Sequence, residues 1–142
     1  MENLGKEEAV IKTVFAYKVN VAIAAILLFV NVQVFASILA ATNQPVPIIT
    51  SFLLCAASLV YGLLSVNGYL TKIIVYEDGF VIKKIFRKII VRESEIKKAA
   101  FRRVNLKKVE INVSVCDGRN IKINSAKYNG ITPLIKYLAK FK

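Results

Sequence analysis

Few residues in this chain are equipped for acid–base or covalent chemistry. Its 142 residues include no histidine, so neither a Ser-His-Asp arrangement nor an imidazole metal site can be built from them. The two thiols, Cys55 and Cys116, lie in segments of opposite character, one uncharged and one strongly basic. They are not expected to meet in a disulfide or a metal site. Glu93 and Glu95 have the spacing of an imaginable acid/base pair, but a solvated turn is the simpler role for them. The glycine-rich phosphate cradles GxGxxG and GxxxxGK[ST] are both missing. No catalytic residue, metal or cofactor is expected, and the chain reads as a non-enzyme.

The chemistry that remains is electrostatic, and it is unevenly placed. The 21 Lys+Arg outnumber 9 Asp+Glu for a net charge of +12. From Val19 to Thr71 there are 53 consecutive residues without a charge, while residues 72–142 hold 18 of the bases and six of the acids. That segregation excludes a soluble single domain. The Ile, Val and Leu content of the basic part excludes a disordered tail.

About 20 apolar residues span a bilayer, so the uncharged stretch has room for two crossings and a turn. The break falls at Thr42-Asn43-Gln44-Pro45-Val46-Pro47, where two prolines cannot continue a helix. Transmembrane helices are therefore expected over 19–41 and 48–70, joined by an external loop at 42–47. A first span of 23 residues is too long for a cleaved signal peptide, and the segment before it is not net positive. Lys6, Lys12 and Lys18 precede the spans and Lys72 follows them. This places both termini in the cytoplasm, with Tyr17 and Tyr69 at the interface. Within residues 1–18, Val10, Ile11, Val14 and Phe15 fall on one helical face, so an interfacial start of the first helix is expected there. Asn31 near the middle of span one suits a hydrogen bond to Ser58, and Gln33 lies close by. The small residues Ala36, Ala40, Ser58 and Gly62 suit close helix packing.

Residues 71–142 change character. Lys72–Tyr76, Phe80–Phe86 and Ile89–Arg92 read as strands, separated by turns at Glu77-Asp78-Gly79 and Arg87-Lys88. A weaker strand is expected at Ala99–Val104. Over Lys108–Val115 the residues Val109, Ile111, Val113 and Val115 alternate with polar neighbours, as in a half-buried antiparallel strand. Asn120–Asn124 follows another turn. The period then shifts: Ile131, Leu134, Ile135, Leu138 and Phe141 share a helical face, with Thr132 as cap and Pro133 in the first turn.

This succession resembles the bacterial pleckstrin-homology-like domain. The likeness rests on Ile73-Ile74-Val75-Tyr76-Glu77-Asp78-Gly79-Phe80-Val81-Ile82, the turn Arg92-Glu93-Ser94-Glu95-Ile96, the Asp117-Gly118 hairpin and the closing helix. A membrane hairpin followed by such a domain is also similar to a common arrangement of small bacterial membrane proteins. The resemblance implies an α+β membrane protein: an N-terminal helical hairpin plus a small cytoplasmic, bent antiparallel sheet capped by a C-terminal helix. About six strands are legible in 72–142, where the family has typically seven. No ligand residue is carried over from the family.

In an up-and-down meander starting at Lys72, the acids Glu77, Asp78, Glu93, Glu95 and Asp117 fall at one end. Arg87, Lys88, Arg102, Arg103, Lys107 and Lys108 fall at the other. Together with Lys72 these bases are the expected membrane-surface contacts, each worth about 1 kcal/mol close to anionic lipid. Expected partners are anionic headgroups of a bacterial inner membrane, a membrane-protein partner or a second copy of the chain. Nucleic acid is not expected, since the bases do not interleave with a stacking platform. The alternative is an accessory or assembly subunit recognised through its helical hairpin.

Overall fold

The computed structural model describes residues 4–142, which form two compact units, Phe15–Tyr69 and the remainder of the described chain. The smaller is a hairpin of α1, Phe15–Ala41, and α2, Pro45–Leu70. Both helices are long and apolar enough to cross a membrane. The spans expected at 19–41 and 48–70 lie inside these helices, which start at Phe15 and Pro45. Prolines are tolerated in a first helical turn because the N–H groups there have no intrahelical partner.

Facing residues pair in antiparallel order along the hairpin. Tyr17 lies against Gly68 and Ala24 against Gly62, Asn31 donates to Ser58, and the Phe35 and Phe52 rings are 6.2 Å apart. The α1 members Tyr17, Ala24 and Asn31 recur every seven residues, as do the buried Ser51, Ser58 and Ser65 of α2, the spacing of a left-handed helix pair. Each serine hydroxyl donates to a carbonyl three or four residues back, so none is buried unsatisfied.

The other unit is built from seven strands and a helix. One antiparallel sheet has the order β1-β2-β3-β4, from Glu7–Lys12, Lys72–Tyr76, Gly79–Lys83 and Lys88–Arg92. The second has the order β5-β6-β7, from Ile96–Asn105, Lys108–Val115 and Asn120–Asn124. A 3-10 turn at Glu93–Glu95 connects them. Helix α3, Thr132–Leu138, contributes Leu134, Tyr137 and Leu138 to a core shared by both sheets. Phe80, Ile73, Val75, Val91, Ile111 and Val113 sit at its centre.

The first strand corrects the sequence reading. Residues 7–12 were expected to open the first helix, and they instead pair antiparallel with β2, Val10 opposite Ile74 and Ile11 opposite Ile73. Ala9 and Ile11 turn toward the core while Val10 is exposed, so the period is two. The sheet unit is thus discontinuous in sequence. It begins before the hairpin and resumes after it, and residues 71–142 alone lack one of its strands. The Leu4 and Lys6 carbonyls accept the N–H groups of Asp78 and Glu77, binding the N-terminal segment over the β2–β3 turn. At the other end Val14 N–H donates to Lys127, and Asn129 N–H to Lys12. A smaller correction falls at α3, where Ile131 occupies the cap position and Thr132 is already helical.

Candidate anion-binding site

The register of the four-stranded sheet produces an unusual line of charge. Lys12 lies opposite Lys72, Lys72 opposite Lys83, and Lys83 opposite Lys88. Four lysines therefore cross the sheet in one row. The next row inward is Ile11, Ile73, Ile82 and Ile89, which points to the other face because side chains alternate along a strand. Like charges directly opposite each other on a sheet are destabilising by a few tenths to about 1 kcal/mol per pair. Three such pairs in succession are a cost that the isoleucine row offsets but does not explain.

On the opposite face of the sheet, the one the isoleucine row occupies, is a cleft of about 340 Å³ between the β3–β4 hairpin and β7. Lys84 and Arg87 line it from the hairpin, and Arg119, Asn120 and Lys122 from the β6–β7 turn and β7. Ile82, Ile89, Ile121, Ile123 and Tyr128 complete the wall, and no carboxylate among the described residues contributes. Arg119 is ion-paired with Asp117. The Asp117 carboxyl is held below the usual range chiefly by the Arg119 backbone N–H, with help from the guanidinium. An anion in this cleft meets three uncompensated bases and one partly compensated one. A second groove, lined by Glu8, Lys136, Tyr137 and Lys140 among others, mixes signs and has no comparable field. There the Lys140 ammonium lies over the Tyr137 ring at 5.0 Å. The buried Tyr137 hydroxyl is pushed well above its ordinary value by burial first, then by the charges of Glu93 and Asp78.

The expected contact residues divide. Lys72 and Lys88 belong to the lysine row, and Arg87 lines the cleft. Arg102, Arg103, Lys107 and Lys108 lie on the β5–β6 hairpin of the other sheet, and none of them lines the cleft. The acid-bearing turns do come together: Glu93 N–H donates to the Asp78 carbonyl and Cys116 N–H to the Glu95 carbonyl, each at 2.8 Å. Glu95 also accepts from the Arg92 N–H and so closes its own turn, a structural role for one of the two carboxylates spaced like an acid/base pair. Lys12, Lys83, Lys84, Arg119 and Lys122 were missed. The position of Lys12 opposite Lys72 follows only once β1 is recognised as a strand, whereas Lys83 was within reach of the sequence, since the Glu77-Asp78 turn sets it opposite Lys72.

In the hairpin, Asn31 and Ser58 bond as expected, an interaction worth about 0.6 kcal/mol on average between helices in lipid. Gly62 faces Ala24, and a Cβ added to the glycine would meet the Ala24 Cβ at 3.9 Å, an ordinary contact. Ala36 and Ala40, expected in the same interface, are exposed. Their helical angle turns them away from the seven-residue stripe, and Ala24 is the small residue that α1 supplies.

These observations define a class: an α+β chain in which two long apolar helices are inserted between the first two strands of a basic two-sheet unit. No family model, curated protein or solved structure matches the chain.

Proposed function

We propose that this chain is a non-enzymatic integral membrane protein whose basic sheet unit binds anionic headgroups on the cytoplasmic face of a bacterial inner membrane. The observation that carries this reading is the lysine row Lys12–Lys72–Lys83–Lys88. Along the chain, Lys12 is three residues from the start of α1 and Lys72 two from the end of α2. Repulsion along the row is relieved when anions lie against it, and each base close to anionic lipid contributes about 1 kcal/mol. A pleckstrin-homology-like identity is supported by the four- and three-stranded antiparallel sheets with a C-terminal helix. The seventh strand comes from ahead of the hairpin.

Amide hydrogen exchange of the full chain in nanodiscs tests the binding. Amides of β2 and β3 are expected to exchange more slowly in discs containing phosphatidylglycerol than in phosphatidylcholine alone. Replacing Lys12, Lys72, Lys83 and Lys88 together by Gln should remove that difference. It should also slow exchange in phosphatidylcholine by relieving the like-charge pairs, by a few tenths to about 1 kcal/mol for each. Identical exchange of the unaltered chain in both discs would defeat the proposal.

The orientation rests on Lys6, Lys12, Lys18 and Lys72 flanking the spans, against an uncharged connection between them. With Cys55 and Cys116 replaced, Asn43→Cys is expected to react with an impermeant maleimide added outside intact cells, and Asn120→Cys is not. The reverse labelling pattern would place the basic unit outside.

A further inference from the structure

The β3–β4 hairpin ends in residues that turn chemistry does not call for. Lys83 pairs with Lys88, the Lys84 N–H donates to the Arg87 carbonyl at 2.8 Å, and Ile85 and Phe86 form the two-residue tip. Such tips favour Asn, Asp and Gly, which accept the tight backbone. Here both positions are large and apolar, and Phe86 is 78% exposed and Ile85 42%. The core gains nothing from them. Directly behind the tip stand Lys84 and Arg87, which line the basic cleft, and behind those Lys83 and Lys88 of the lysine row. Apolar side chains at the point, with four bases and no acid behind them, match the layering of an anionic bilayer, whose apolar interior lies under a negative headgroup layer. Phenylalanine is among the residues that bury at the boundary of headgroups and acyl chains. The β5–β6 hairpin repeats the composition, with Val104 and the 88% exposed Leu106 flanked by Arg102, Arg103, Lys107 and Lys108.

We propose that the Ile85-Phe86 tip is an interfacial anchor that enters an anionic bilayer while Lys84 and Arg87 hold lipid phosphates at the mouth of the cleft. This rests on the anionic-headgroup reading above and adds to it that the occupant is a bilayer into which the protein inserts. A soluble phosphate compound or an acidic protein surface would engage the bases and leave Phe86 without a partner of its own kind.

The chain contains no tryptophan, so Phe86→Trp installs a single reporter at an exposed position that the core does not use. The full chain carrying it is placed in nanodiscs of phosphatidylcholine with phosphatidylglycerol, with brominated acyl chains as contact quenchers. Lys136→Trp, on the exposed side of α3, serves as the comparison. The expected result is blue-shifted emission from the position-86 indole, most of it lost to brominated lipid, and reduced quenching in phosphatidylcholine alone or with Lys84→Glu and Arg87→Glu added. The Lys136→Trp emission should stay unquenched in every disc. Equal, unquenched emission from both reporters would overturn the anchor. If the β2 and β3 amides were still protected by phosphatidylglycerol in that case, anion binding would stand without insertion. If the protection were lost as well, the underlying reading would fall with it. Quenching at position 86 that is the same in both lipids and survives the charge reversals would also overturn the proposal, since the bases would then have no part in it.

Discussion

Replacing Ile11 by aspartate is expected to unfold the sheet unit although the residue precedes both helices in the chain. Ile11 is 1% exposed, faces Ile73 across the β1–β2 ladder and belongs to the shared core. Truncating a buried isoleucine to alanine typically costs about 2–5 kcal/mol, and a carboxylate at the same place adds the cost of an unpaired buried charge. Whole-domain stabilities are about 5–15 kcal/mol, so Ile11→Asp should consume most or all of the margin. Ile11→Val, which removes one methylene, should cost about 0.5–1.5 kcal/mol. Hydrogen exchange of the full chain would read the loss in β2 and β3 amides, with the α1 and α2 amides as internal reference. The same reasoning predicts that a fragment starting at residue 70 aggregates, because the edge of β2 is then left open. Joining residues 1–14 to it through a short linker should restore folding. Unchanged β2 and β3 exchange in Ile11→Asp would show that β1 is not part of the core.

The second large effect is expected at Gly79. This glycine opens β3 and pairs with Arg92. A Cβ there would lie 2.3 Å from the Val91 carbonyl oxygen, 3.2 Å from the Arg92 Cα and 3.3 Å from the Leu4 side chain. Two of these three neighbours are backbone, so relief requires strands β3 and β4 to separate or the N-terminal segment to lift. Overpacking of this kind costs about 1–3 kcal/mol and sometimes more, and Gly79→Ala should sit at the upper end. A lowered unfolding midpoint with faster exchange in both β4 and residues 4–6 is the expected signature. Loss confined to β4 would show that Leu4 does not bear on the site. Gly118, which has nothing within 4 Å of its added Cβ but a φ of +87°, illustrates the other reason for a glycine: strain of the backbone rather than want of space.

Local features were the ones legible in the amino-acid order. The uncharged run from Val19 to Thr71 placed two helices, because length and apolarity are counted along the chain. Strands Lys72–Tyr76, Lys108–Val115 and Asn120–Asn124 have the expected bounds, since alternation and turn residues act over a few positions. Ile96–Asn105 is longer than its weak pattern suggested. It is held by pairing with β6 along nearly its whole length, and propensity yields to such pairing. Residues 7–12 carry apolar positions compatible with either period, and only the unpaired edge of β2, brought near by the returning chain, selects the strand. The charge pattern has the same division. The excess of bases after residue 71 is compositional and was plain from the sequence. That Lys12, Lys72, Lys83 and Lys88 stand in one row, and that Arg119 and Lys122 share a cleft with Lys84 and Arg87, depends on register and on two sheets meeting. Those are distances between residues remote in sequence, and no local periodicity encodes them.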